Sequence, residues 1–266
     1  MNALDVTGVS VGRGGCRRVD AVSLSVARGE LFGLIGPNGA GKTSLLRAVA
    51  QLTPHEGEVR VGGAWFAALS PAQRATRLAY LGQDDRAAWP MSVADFVALG
   101  RLPHRRAWAR GPSAADTAAV QAAMAAMRLG ALAGRRLDQL SGGERTRARL
   151  ARALAVQAPL LLADEPIAAL DPFHQLSVMN LLREHCARGG SIVVVLHDLT
   201  LASRFCDRVL LMHQGCAVAA GTPRQVLTPG NLQRVYQVQA MHGEHDDQSY
   251  VLPWQCRPLT PSEIPA

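Results

Sequence analysis

The sequence predicts an α/β domain with a mainly parallel sheet, interrupted by an inserted helical part. Two observations carry this. Short apolar runs at Leu31–Ile35, Leu160–Ala163 and Ile192–Leu196 have the length of buried strands, and helical stretches at Thr43–Leu52 and Phe173–Ala187 stand between them. Strands that alternate with helices favour a parallel sheet. From about residue 84 to residue 155 the alternation stops, and alanine-rich, helix-favouring segments take over.

In chain order, Val19–Val26 alternates imperfectly as a strand and ends at the turn signal Ala27-Arg28-Gly29-Glu30. Leu31–Ile35 runs straight into a glycine-rich loop. Thr43–Leu52 follows with apolar residues at Leu45, Leu46, Val49 and Leu52, and Thr53-Pro54 stops it. Glu58–Val61 and Arg77–Leu81 read as further strands. The inserted part holds helical segments at Val93–Leu99, Ala114–Leu129 and Glu144–Ala155, with Pro and Gly breaks between them. Residues 241–266 are polar and contain proline, and no firm element is predicted there.

Composition is that of a globular chain: 266 residues, 48% apolar and 18% charged. No apolar run approaches the length of a membrane span, and the N-terminus lacks a basic region followed by an apolar stretch, so a soluble, cytoplasmic chain is expected. Five cysteines are scattered and never paired as CxxC, which argues for reduced thiols rather than a zinc site. A net charge of +7 would suit a polyanionic partner, but the arginines are dispersed without a dense basic run, so no nucleic acid is expected. Of 28 basic residues, 27 are arginine. The one lysine, Lys42, sits inside the glycine-rich loop, where a compact ammonium fits among phosphates.

That loop, Gly36-Pro37-Asn38-Gly39-Ala40-Gly41-Lys42-Thr43, fits GxxxxGK[ST] between a strand and a helix, with Ser44 next in the helix. Its glycines let successive N–H groups turn toward phosphate oxygens, and the helix N-terminus adds partial positive charge. Lys42 is placed to reach the β- and γ-phosphates, and the Thr43 hydroxyl to ligate Mg²⁺. Leu160-Leu161-Leu162-Ala163-Asp164-Glu165 is an apolar strand ending in two carboxylates. Asp164 is placed to hold Mg²⁺ through water, and Glu165 is the candidate general base. Leu140-Ser141-Gly142-Gly143-Glu144 contains an S-x-x-E capping box, so a helix should start there, and Gly142 and Gly143 leave its first N–H groups open to a second anion.

These three segments, in this order and spacing, resemble the ATP-binding cassette (ABC) transporter ATPases over roughly residues 1–240. The resemblance implies a RecA-like P-loop NTPase fold with N-terminal antiparallel strands. It also implies an ATPase domain over 1–240 (core 1–83 and 156–240, helical subdomain about 84–155) and a tail at 241–266. ATP and Mg²⁺ are the implied cofactors. Two copies would pair head to tail, each ATP lying between one copy's phosphate loop and Ser141–Glu144 of the other. By the same resemblance Gln83 matches the Q-loop glutamine, which contacts Mg²⁺ or water, and His197 the switch histidine of the γ-phosphate. Asp171 closes a D-loop in which Ile167 and Ala168 replace the usual threonine and serine. Where relatives stack adenine on an aromatic residue, this chain has Arg13, whose guanidinium plane can also stack on a base or simply face solvent.

Two stretches narrow the resemblance. Trp89-Pro90-Met91-Ser92-Val93, continuing through Val97–His104, and Asp171-Pro172-Phe173-His174-Gln175 are similar to ATPases of importers for iron–siderophore, haem and vitamin B12. This implies polytopic permease subunits as partners, a substrate-binding protein acting indirectly, and a place at the cytoplasmic face of the cell membrane. His104 with Arg105 and Arg106 has the composition of a metal or phosphate site, but reads more simply as solvated residues near the permease groove. A soluble ABC protein of nucleic acid or ribosomes would carry two cassettes or coiled-coil insertions. A P-loop kinase or GTPase would have no use for Ser141–Glu144 or His197, and an exporter half would have fused membrane spans.

Overall fold

The computed structural model describes residues 1–13, 16–83, 90–105, 111–168 and 170–257, with the side chains of Arg13 and Cys16 outside that description. The chain opens with β1 (Leu4–Arg13) and β2 (Cys16–Val26), an antiparallel pair, then β3 (Leu31–Ile35) and α1 (Lys42–Val49). Next come β4 (Glu56–Val61), β5 (Ala64–Trp65), α2 (Pro71–Arg77) and β6 (Leu78–Leu81). The order β2-β1-β4-β5 makes an antiparallel sheet, as the resemblance implies for the N-terminal strands.

Helices then take over: α3 (Val93–Ala98), α4 (Ala114–Ala126) and α5 (Gly142–Ala155). Their starts follow from side-chain caps. Ser92, Ser113 and Ser141 each accept a hydrogen bond from the backbone N–H three residues on. Strand–helix alternation resumes with β7 (Leu160–Ala163), α6 (Pro172–Ala187), β8 (Ser191–Val195), α7 (Leu199–Phe205) and β9 (Arg208–His213). The chain continues through β10 (Cys216–Gly221), α8 (Pro223–Val226) and α9 (Pro229–Tyr236) to β11 (Val238–His245) and β12 (Gln248–Cys256).

The central sheet has the order β10-β9-β3-β8-β7-β6, parallel from β9 to β6 and antiparallel at β10. It is buried on both faces, which is why its strands read as continuous apolar runs. Phe32, Leu34, Leu160, Leu162, Val193 and Val195 point toward α1 and the antiparallel sheet. Leu31, Ile35, Leu161, Ala163, Ile192 and Val194 point the other way, toward the helices. Each buried Val, Leu, Ile or Phe side chain among them contributes roughly 1.5–3 kcal/mol of hydrophobic stabilisation.

The stretch for which the sequence gives no firm element is largely ordered. β11 and β12 form a hairpin across residues 238–256, which sends Val251 into the core and is tied to α7 by polar contacts. Thr200 Oγ1 donates to Val251 O at 2.7 Å, Arg204 Nε donates to Gln248 Oε1 at 2.9 Å, and the hydroxyls of Ser203 and Ser249 lie 2.8 Å apart.

Candidate functional site

β3 delivers the chain into the phosphate loop at the carboxyl end of the sheet. Gly36 has a φ of 148°, and a Cβ there would stand 2.3 Å from Met212 O on β9. Gly41 occupies the N-cap of α1 at φ 97°, where a Cβ would stand 2.5 Å from Arg18 O. Both positions therefore require glycine. No side chain caps α1, so the N–H groups of its first turn remain free for an anion. Lys42 is buried, and its Nζ donates to Gly36 O at 2.7 Å and Pro37 O at 2.9 Å. Burial lowers its pKa, against the opposing pull of Glu165 and Asp164.

β7 ends beside this loop, tied to β6 by Asp164 N donating to Leu81 O at 2.8 Å. Thr43 Oγ1 donates to Asp164 Oδ1 at 3.2 Å. Asp164 is 2% exposed, and burial raises its pKa although the Thr43 bond works against the shift. Its Oδ2 is buried without a hydrogen-bond partner. An orphaned carboxylate oxygen beside a threonine hydroxyl is a hard-oxygen donor pair, which fits Mg²⁺ completed by phosphate and water oxygens. Among the described residues no group of three His, Cys, Asp or Glu could hold a metal ion by itself.

Glu165 has a φ of 52°, left-handed backbone that a non-glycine residue adopts at a cost of about 1–3 kcal/mol. Both of its carboxylate oxygens are engaged. Gln83 Nε2 donates to Oε2 at 2.9 Å and His197 Nε2 donates to Oε1 at 2.6 Å. Gln83 comes from just beyond β6. His197 stands between the end of β8 and α7, whose N-cap Asp198 accepts from Leu201 N at 2.8 Å. Three strand ends thus bring Gln83, Asp164, Glu165 and His197 together with the phosphate loop.

The pocket in front of the loop, about 620 Å³, is lined by residues 38–44, Gln83 and Glu165 together with Arg17, Arg18, Gln214 and Gly215. The last four were not singled out in the sequence. Gln214 and Gly215 are the two-residue turn between β9 and β10, both at positive φ. Gly215 N donates to Ala40 O at 3.1 Å, and Gly215 O accepts from Asp20 N at 2.9 Å, which braces the loop against β2. The signal for this turn was a glycine between two apolar runs. Arg13 ends β1 with its backbone paired to Cys16, and its side chain lies outside the description.

Ser141 to Glu144 form the expected capping box. Glu144 N donates to Ser141 Oγ at 3.2 Å, and Ser141 N donates to Glu144 Oε2 at 2.8 Å. These bonds hold the Glu144 carboxyl below its ordinary pKa. None of Ser141, Gly142, Gly143 and Glu144 lines the phosphate-loop pocket of the same chain. Asp171 caps α6, accepting from His174 N at 2.9 Å, and His174 also lowers its pKa. Asp171 does not line the pocket either. Of the segments read as a group, Asp84, Trp89, Arg106 and Ala169 lie outside the described residues. His104 is a structural contact rather than a ligand: its Nε2 donates to Val156 O at 2.7 Å, at the end of α5.

Comparison with known proteins follows the same lines. The family model described as ABC transporter matches residues 19–168. A protein named hemin import ATP-binding protein HmuV, from Pseudomonas entomophila (strain L48), is 41% identical over 94% of this chain and 98% of its own. A second protein of that name, from Streptomyces coelicolor (strain ATCC BAA-471 / A3(2) / M145), is 46% identical over 86% of this chain and 81% of its own. A cobalamin import ATP-binding protein BtuD from Halobacterium salinarum (strain ATCC 29341 / DSM 671 / R1) is 42% identical over 90% of this chain, which spans 60% of that protein. Among solved structures, one provisionally classed as a metal-chelate type ABC transporter in an inward-facing conformation superposes with a TM-score of 0.82. It is 23% identical, covering 96% of this chain and 98% of its own. The dimeric, post-hydrolysis ATP-binding cassette MJ0796 bound to ADP and phosphate superposes with a TM-score of 0.73, 26% identical over 83% of this chain and 99% of its own.

Proposed function

This chain belongs to the ABC transporter family, and on that premise we propose that it is the ATP-hydrolysing subunit of an importer for a metal chelate, haem before cobalamin or a siderophore. Support for the cargo is the pair of hemin import relatives, which align over most of both chains. We assign residues 1–83 and 156–240 to the ATPase core, 84–155 to its helical subdomain and 241–266 to a tail. Gly36 to Ser44 bind the phosphates of ATP, with Lys42 on the β- and γ-phosphates. Thr43 and Asp164 would hold Mg²⁺, with Gln83 at its edge. When bound, that ion neutralises charge on the transferring phosphoryl group.

Hydrolysis follows from the engaged carboxylate. Glu165 accepts a proton from water as its oxygen attacks the γ-phosphorus and the bond to the β-phosphate oxygen breaks, giving ADP and phosphate. His197 and Gln83 hold Glu165 and the water in place. The observation that carries the reading is the separation of two anion-binding devices: the phosphate loop has its carboxylate beside it, while Ser141–Glu144 lie elsewhere in the same chain. The second device serves the nucleotide of a second copy, so the working unit is a homodimer. Arg13 is left as an adenine contact in this proposal. No helix among the described residues is long and apolar enough to cross a membrane. Polytopic permease subunits would therefore supply the passage, with a substrate-binding protein acting on them and this dimer held at their cytoplasmic face.

The test is reconstitution with the membrane protein that co-purifies. Vesicles should take up haem in an ATP-dependent way, and Glu165→Gln should still bind ATP while uptake and turnover fall about 100-fold or more. Failure to associate with any membrane protein would remove the importer reading.

A further inference from the structure

The helix that starts at the Ser141 cap also grips the loop that carries Gln83. Arg149, about two turns into α5, donates from Nη2 to the carbonyl oxygens of Gly82 and Gln83, the latter at 2.9 Å. Gln83 Nε2 in turn donates to Glu165 Oε2 at 2.9 Å. Polar contacts therefore run without a break from the helix of Ser141–Glu144 to the reacting carboxylate. Nothing in the sequence separates Arg149 from its neighbours Arg145 and Arg147. The structure does: Arg145 Nη2 reaches back to Leu140 O at 3.3 Å and Arg147 Nη1 to Met127 O at 3.2 Å, both within the helical segment, whereas Arg149 crosses to the end of β6.

One guanidinium on two adjacent carbonyls makes charge-assisted bonds and fixes the orientation of the peptide between them. That matters because Gln83 is exposed and its side chain has several free rotors, so little besides its backbone limits where the carboxamide goes. The far end of α5 is held as well. Arg101 Nη1 donates to Ala155 O at 2.8 Å, and His104 Nε2 donates to Val156 O at 2.7 Å. A helix fixed at its end and bonded to the loop at its middle carries that loop with it when it moves.

We propose that Arg149 is a positioning residue for ATP hydrolysis: it holds the backbone of Gln83 so that the carboxamide stays on Glu165, and it passes the orientation of α5 to that carboxylate. The proposal rests on the reading of Gln83 and Glu165 as catalytic. It is tested with the purified full chain by ATP turnover and thermal unfolding of Arg149→Ala, Arg149→Lys, Gln83→Ala and the double variant R149A/Q83A. Arg149→Ala and Gln83→Ala should each lower kcat about tenfold while KM for ATP stays within about twofold, and the double variant should be no slower than Gln83→Ala. Arg149→Lys, which keeps one charged donor, should stay within about threefold of the unaltered chain.

Multiplied losses in the double variant, or a kcat for Arg149→Ala within about twofold of normal, would overturn the proposal. A lowered melting temperature with KM and kcat damaged together would reduce Arg149 to a structural role. If Gln83→Ala is itself harmless, the catalytic reading of Gln83 falls and this inference falls with it. If Gln83→Ala is slow and Arg149→Ala is not, only this inference falls. Should Arg149→Ala not fold, Arg149→Gln takes its place in the same cycle.

Discussion

Asp164 is held where ionisation is disfavoured, with one oxygen bonded to Thr43 and the other buried without a partner. Its folded pKa lies above the unfolded value, so folding favours the protonated acid. The associated stability is present at low pH and is lost as pH rises through the folded pKa. Asp164→Asn removes the penalty. The nucleotide-free variant should melt higher at pH 7, by about 1 kcal/mol or roughly 2–4 °C, and the gap should shrink toward pH 4. Metal-dependent turnover should be lost in the same variant. Calorimetry at the two pH values, without and with ATP and Mg²⁺, checks both halves. Glu165, one residue on, differs in kind: its strained φ and two donors fix direction, which suits the base proposed for it.

At the scale of elements, α5 shows how a short sequence signal sets a long range of structure. Its capping box was legible because both partners are three residues apart. Its last residue, Ala155, was read correctly as well, but what anchors that end was not. Arg101 is 5% exposed and pairs through Nε with Asp116 Oδ1 at 2.9 Å, while also donating to the last carbonyls of α5, and nothing local to Arg101 announces partners that far along the chain. Arg101 holds the Asp116 carboxyl well below the usual carboxylate range. The pair's contribution is therefore present across neutral pH and is lost only as pH falls through that depressed value. Arg101→Met should lower the melting temperature by several degrees and Asp116→Asn by less, since the amide keeps the Ser113 and Arg101 contacts in part; differential scanning at neutral pH distinguishes them.

β1 went unread for a different reason. Its buried apolar residues are Leu4 and Val6, then Val9 and Val11, so the alternation changes parity where the pairing with β2 shifts register. In β2 the same happens near Ala21, at φ 47°, which is why Val19–Val26 alternated imperfectly. The hairpin of β11 and β12 offered no pattern at all, since Val251 is its one buried apolar residue. Strands buried on both faces, by contrast, were read within a residue or two: β3 and β7 match their apolar runs end for end.

For the whole molecule, the site was legible as far as it is local. Residues 36–44, Asp164, Glu165 and His197 sit at strand ends that the apolar runs mark out, and the structure brings them together. Arg17, Arg18, Gln214 and Gly215 join through pairing between distant strands, which no window of sequence contains. Ser141–Glu144 remain apart from the pocket, and this has a direct test. In the presence of ATP and Mg²⁺, Glu165→Gln should elute at twice the mass of the nucleotide-free chain, and adding Ser141→Arg should return it to single copies with ATP binding intact; light scattering reads both.

The same separation reaches into heredity. If each catalytic centre is assembled from two copies, an altered chain does harm beyond its own loss, because it also occupies half of every pair it joins. A Lys42→Ala copy expressed beside the normal gene would leave only the pairs drawn wholly from normal chains intact. The defect would behave as dominant, and either removal of the altered chain or an excess of the normal one would relieve it.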